Sequence, residues 1–136
     1  MPTIKINSGD VKYAIENEYG EIIGEIRFNP NDTDIYRRAD EVEAWFRGLK
    51  FGEDVSMEDY FNFSDEVKKK FDYMLNRNVS GEIFKVCNPL TVTADGEMFF
   101  VNVLAVIIDV IREEQRKSYG ELEKKIDDAV NEITNE

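Results

Sequence analysis

The chain alternates before it winds. In "TIKIN" the side chains of Ile4 and Ile6 fall on one face, and "SGD" comes next as turn chemistry. "VKYAI" alternates again through Val11, Tyr13 and Ile15. After "ENEYG", the run "EIIGEIRF" places Ile22, Ile26 and Phe28 on one side. Period two, broken by Gly, Asn, Asp and Ser, predicts an antiparallel β-meander of about three strands. Such a meander has an apolar face that needs a helix to cover it.

At "FNPNDTD" the period changes. Pro30 disfavours further strand, and Asn31, Asp32 and Thr33 are residue types that cap helix N-termini. Beyond them Ile35, Ala39, Val42, Phe46 and Leu49 recur at three- and four-residue steps, which predicts an amphipathic helix ending between Gly48 and Gly52. Ser56 and Asp59 have capping-box spacing, with Asp in place of the usual Glu or Gln. They open a second helix carrying Tyr60, Phe61, Phe63, Val67, Phe71 and Leu75, with Ser64 as a point where it can divide. Residues 76–96 are rich in breakers ("NRNVSG", "CNPL", "ADG") and leave room for one helical turn at "GEIFKV".

The most apolar stretch is "MFFVNVLAVIIDVIREEQRK", residues 98–117. Phe100, Val103, Leu104, Ile107, Ile108 and Ile111 share one broad helical face. The apolar part is too short for a bilayer span, which takes roughly 20 residues, and reads as a buried helix. The polar run "REEQRK" then separates it from a second stripe, Tyr119, Leu122, Ile126, Val130 and Ile133, at the spacing of a coiled-coil seam. Ser118 with Glu121 has capping-box spacing and Gly120 weakens a helix, so a break or bend near Ser118 and one continuous rod are both open. The predicted fold class is α+β: an N-terminal antiparallel β-meander packed on a mainly helical body with one central apolar helix. The 136 residues form a single domain, with 1–29 β-rich, 30–117 the helical body and 118–136 a C-terminal amphipathic helix.

Charge narrows the partners. With 17 Lys+Arg against 29 Asp+Glu the net charge is −12, which disfavours nucleic acid and anionic membrane surfaces. An acidic chain is instead steered toward basic partners. There is no histidine and one cysteine, Cys87, so neither a Ser-His-Asp triad nor the commonest zinc site is expected. "NPNDTD" lacks the glycine and final glutamate of a calcium loop and reads as a helix cap, while "ADGE" reads as a tight turn. Neither a P-loop nor a GxGxxG run occurs. No cofactor, metal or catalytic residue is expected. "MPTIKINSGD" has no signal-peptide pattern, so the expected compartment is a reducing cytoplasm. The stripe Tyr119, Leu122, Ile126, Val130 and Ile133 is the candidate partner-binding surface. The alternative is that this helix folds back on its own domain. The oligomeric state is open.

With these residues laid out, the chain resembles the small acidic tail assembly chaperones of siphophage and prophage clusters in Gram-positive bacteria. The likeness covers roughly residues 26–117. It rests on "IRFNPNDTDIYRRADEV", with Phe28, Asn29, Pro30, Asn31 and Asp32 closing the last strand and opening the first helix. It rests also on "VSGEIFKVCNPLTVTADGEMFFVNVLAVIIDVI", with Gly81, Phe84, Asn88, Pro89, Leu90, Phe99, Phe100 and Leu104. One departure is Lys85 after Phe84, where relatives often carry a compact Phe-Gly turn. The resemblance implies a non-enzymatic protein that binds the tape-measure protein, helps recruit tail-tube subunits, and acts in the bacterial cytoplasm without entering the mature virion. Two other readings stand beside it. One is a structural tail or head-completion component. The other is an acidic inhibitor that mimics nucleic acid, which needs carboxylates arrayed on one face, whereas here cations are interspersed ("EEQRK", "EVKKKF").

Overall fold

The structure is a computed structural model and describes residues 1–49 and 54–134. Strands β1 (Val11–Glu16) and β2 (Ile22–Phe28) form an antiparallel hairpin, succeeded by four helices: α1 (Ile35–Arg47), α2 (Met57–Leu75), α3 (Ser80–Ile83) and α4 (Phe99–Thr134). The fold is α+β, a small N-terminal sheet on a mainly helical body.

The hairpin forms where the alternation is strongest. Tyr13 faces Ile26 and Val11 faces Phe28 across the ladder, with a bulge between Ile15 and Glu16. Asn17 closes the turn, its Oδ1 accepting from the N–H groups of Tyr19 and Glu21 at 2.9 and 3.0 Å. Gly20 supplies the positive φ of 81° that a residue with a Cβ rarely adopts. Ile26 and Phe28 are buried, and the Tyr13 ring stacks on Phe28 at 5.1 Å.

The first of the three expected strands does not form. Residues 3–7 lie in no sheet, with Ile4 and Ile6 exposed at 88% and 79%. The expected turn is present: the Gly9 N–H bonds Asn7 Oδ1 at 2.9 Å and the Asp10 N–H bonds Ser8 Oγ at 3.2 Å. Asn29 Nδ2 then donates to the Ser8 carbonyl at 3.2 Å, and Arg77 holds Asp10. These bonds tie the segment's base to the body and send the rest outward, so the meander reduces to two strands.

Past Pro30, which is buried, α1 turns Ile35, Arg38 and Val42 inward. Of the expected stripe, Ala39, Phe46 and Leu49 are half-buried. Arg38 is the unexpected member. Its Nε donates to the Met74 carbonyl at 2.9 Å and its NH2 group to Asp32 Oδ2 at 2.7 Å, so its charge and donors are matched inside. Gly48 ends α1; Gly52 lies outside the described residues.

The Ser56–Asp59 capping box is present in both directions at 3.1 Å. It opens an unbroken α2 with Ser64, Val67, Phe71, Met74 and Leu75 buried. Ser64 does not divide the helix, because its Oγ accepts from Asn88 Nδ2 at 2.9 Å and pins the loop there. Asp72 caps the start of α3, accepting from the N–H groups of Val79 and Ser80 at 2.8 Å each. The turn expected at "GEIFKV" is α3, and Phe84 just beyond it meets Phe71 and Phe99 edge-on.

The "ADG" turn closes between Val92 and Met98, which form a β-bridge, with Gly96 at φ 84°. The loop supplies the acceptors that α4 needs at its start: Phe99 N–H bonds the Thr91 carbonyl at 2.7 Å and Phe100 N–H the Pro89 carbonyl at 3.0 Å. One core cluster joins Phe28, Ile35, Val67, Phe71 and Ile107 across all these elements.

A candidate partner-binding surface on the last helix

Helix α4 runs for 36 residues without a break. Its docked row is Phe100, Leu104, Ile107, Ile111 and Gln115, spaced by fours and a three. Phe100, Ile107, Ile111 and Gln115 are buried and Leu104 is half-buried. On the other side Val101 and Val106 are exposed, so the body covers one face of the helix only.

Gln115 ends the docked row. Its side chain is buried, its Nε2 donates to the Pro30 carbonyl at 3.1 Å, and its Oε1 accepts from the Tyr36 hydroxyl. Both ends of the amide are therefore matched, and they clasp α4 to the start of α1. Within "REEQRK" this glutamine reads as part of a polar spacer. The signal that finds it is position: it lies four residues past Ile111, on the line of the apolar row.

Beyond Gln115 no described residue of α4 is buried. The 19 residues from 116 to 134 extend about 28 Å at 1.5 Å per residue. Tyr119, Leu122, Ile126, Val130 and Ile133 are exposed at 59%, 53%, 56%, 54% and 75%. At about 100° per residue all five fall within an arc of roughly 80°. The helix brings the five candidate residues onto one face and leaves that face uncovered by the rest of the described chain. The helix neither breaks nor folds back here, and Ser118 does not act as a cap, because the backbone N–H groups near Glu121 lie inside a running helix.

Acids edge the stripe. Residues 118–134 carry Glu121, Glu123, Asp127, Asp128 and Glu132 against Lys124 and Lys125. Glu123 and Asp127 line one border of the apolar arc, while Lys125 and Glu132 line the other. Nearer the body, Arg116 hydrogen-bonds Glu113 at 2.8 Å and holds its carboxyl below the usual range.

A second apolar surface lies between the hairpin and the docked half of α4. It is a cleft of about 380 Å³ lined by Tyr13, Ile15, Ile23, Val103, Val106 and Val110, among others. The Tyr13 hydroxyl is buried with no hydrogen-bond partner among the described residues. Burial, with the nearby Glu114 charge adding to it, raises its pKa above the ordinary tyrosine value.

No family model, curated protein or solved structure matches this chain.

Among the described residues no group of three or more His, Cys, Asp or Glu side chains comes together to hold a metal. No described helix is long and apolar enough to cross a membrane. Cys87 is a free, half-buried thiol.

Proposed function

We propose that this protein is a non-enzymatic tail assembly chaperone, acting in the cytoplasm of a bacterial host and absent from the finished virion. In this reading the outer half of α4 lays its stripe against an amphipathic helix of the tape-measure protein, while the body helps recruit tail-tube subunits. One observation carries the proposal: five apolar side chains at seam spacing stay exposed on a helix already anchored at its other half. Covering a partner's apolar helix is what such a face is suited to do. Its acidic borders favour a basic partner and discourage stacking of identical copies along this face.

The test is co-expression with the tape-measure protein of the same gene cluster. Wild-type protein is expected to keep it in the soluble fraction and to co-purify with it. The double variant Leu122→Asp/Ile126→Asp, altered at exposed positions, is expected to fold normally and to lose that capacity. A variant that still holds the partner would refute the assignment. Finding the protein stoichiometric in purified particles would favour the structural-component reading instead. The nucleic-acid mimic draws less support, since acids on the helical surface pair with neighbouring cations, as Glu43 does with Arg47 and Glu66 with Lys69.

A further inference from the structure

The hairpin has two edges, and they are not alike. Helix α3 packs beside β2, and the Glu25 N–H, directed away from β1, donates to the Glu82 carboxylate at 3.4 Å. In the ladder Glu25 faces Ala14. Ala14 therefore turns its own N–H and C=O to the outer edge of β1, where no strand lies among the described residues. One edge is closed by its own chain and the other is open.

In the unpaired segment of residues 3–7, alternation puts Ile4 and Ile6 on one face, and both are exposed. Its base is held on the β2 side. Ser8 accepts from Asn29, which lies just past β2, and Asp10 accepts from two of the Arg77 nitrogens at 2.7 and 3.1 Å. Arg77 and Glu82 line the same side of the sheet. These bonds hold the base of the arm on the side of the sheet opposite the open edge of β1, and in the structure the arm does not pair with its own β1.

We propose that the open edge of β1 takes residues 3–7 of a second copy of this chain as a third strand. A strand added to a free edge gains main-chain hydrogen bonds for affinity and alternate side chains for register. With Ile4 and Ile6 turned inward they lie over the Tyr13–Ile15 side and cover the apolar cleft against α4. Lys5 then falls on the outer face, which carries the exposed Glu16. Charge fits this choice of occupant. Residues 1–9 hold one cation and no acid in a chain of net −12. On the opposite face, the cleft and its rim carry Glu18, Asp109, Glu113 and Glu114. Reciprocal exchange of two arms closes on a two-fold axis.

The experiment is light scattering with cross-linking. The intact protein at tens of micromolar is expected to have twice the chain mass, and Ile4→Asp/Ile6→Asp is expected to halve it. Because both positions are exposed, the variant should keep the helical circular dichroism of the wild type. In a Cys87→Ser background, chains carrying Lys5→Cys are mixed with chains carrying Glu16→Cys and treated with a short bis-maleimide. The expected product is the mixed dimer. A monomeric wild type overturns the proposal, as does self-association that survives the Asp substitutions. An intramolecular link in the double Lys5→Cys/Glu16→Cys chain at high dilution, with no mixed dimer, also overturns it, since the arm would then serve its own sheet.

Discussion

Ending the chain at Ser118 and replacing Gln115 by Ala are changes three residues apart with opposite expected outcomes. Gln115 is 5% exposed and holds the Pro30 carbonyl and the Tyr36 hydroxyl. Tyr36 is half in solvent and can turn to water, but Pro30 is buried, so its carbonyl is left without a partner. A buried acceptor so stranded costs about 1–3 kcal/mol, with the lost packing of the side chain added. We expect Gln115→Ala to cost about 2 kcal/mol. At roughly 3–4 °C per kcal/mol for a domain of this size, that is a fall of about 6–8 °C in the melting temperature. Removing residues 119 onward takes away side chains that are all more than half exposed along the stripe, and no described tertiary hydrogen bond. Its cost is expected to stay below about 1 kcal/mol, the range of surface changes. Both proteins would be melted at the same concentration and monitored at 222 nm, the truncation with a smaller amplitude because it has lost helix. A truncation that melts as early as the glutamine variant would mean that the outer half of α4 packs on the body. A glutamine variant that melts with the wild type would mean that the clasp does not hold α4 down.

The same packing sets three further outcomes. Phe71→Ala should cost about 3–5 kcal/mol and Leu104→Ala clearly less, near 2 kcal/mol, because Phe71 is fully enclosed and Leu104 only half, measured by denaturant melts. Gly120→Ala should strengthen the outer helix by about 1 kcal/mol, since an added Cβ there meets nothing within 4 Å, with the gain read as added helicity and slower amide exchange around it. Asp32→Ala should cost about 1.5–3 kcal/mol at pH 7 by stripping a mostly buried Arg38 of its carboxylate. The hydrogen bond from Arg38 lowers the Asp32 pKa when folded, against the opposing effect of burial. Its stabilisation is therefore complete above the unfolded carboxylate value near pH 4 and is lost as pH falls through the lower folded value. The gap between variant and wild type should close below about pH 4, and a gap unchanged at pH 2.5 would refute the assignment.

How much of the fold and of the stripe is legible in the sequence depends on whether the information is local. The helices are legible, because a 3.6-residue apolar period and a Ser56–Asp59 box are satisfied within a few turns of chain. The hairpin is too, through Asn17 and Gly20. The missing strand is not. Alternation in "TIKIN" shows that a segment suits a sheet, whereas its direction is set by Asn29 and Arg77, 21 and 67 residues from the groups they hold. The Ser118–Glu121 spacing misleads for a similar reason, as a cap is needed only where a helix begins. For the stripe itself, Tyr119 to Ile133, spacing locates the five residues but does not say whether they are covered. Seam spacing serves a covered and an uncovered face equally, and only the path of α4 past Gln115 shows that this one is uncovered by the described chain.

That path also bears on how the stripe is presented. Helix nucleation is the costly step, and a segment of this length with a glycine inside is marginal alone. Here no separate nucleus is needed. Phe100 to Gln115 are fixed by packing and by the clasp to Pro30 and Tyr36, and the turns beyond propagate from them one bond per residue. The apolar face is thus ordered before anything binds it, so a partner helix does not have to supply the free energy of folding it, which is the advantage of preorganisation. The same continuity keeps its azimuth: the exposed arc begins on the line of the buried row, with Leu122 seven residues past Gln115. A helix lying along the stripe would therefore meet the body near Tyr36 and Gln115, placing its end where α1 begins. The boundary between the covered and the exposed part of α4 is a single glutamine, and the residues that make that boundary are also those that aim the surface beyond it.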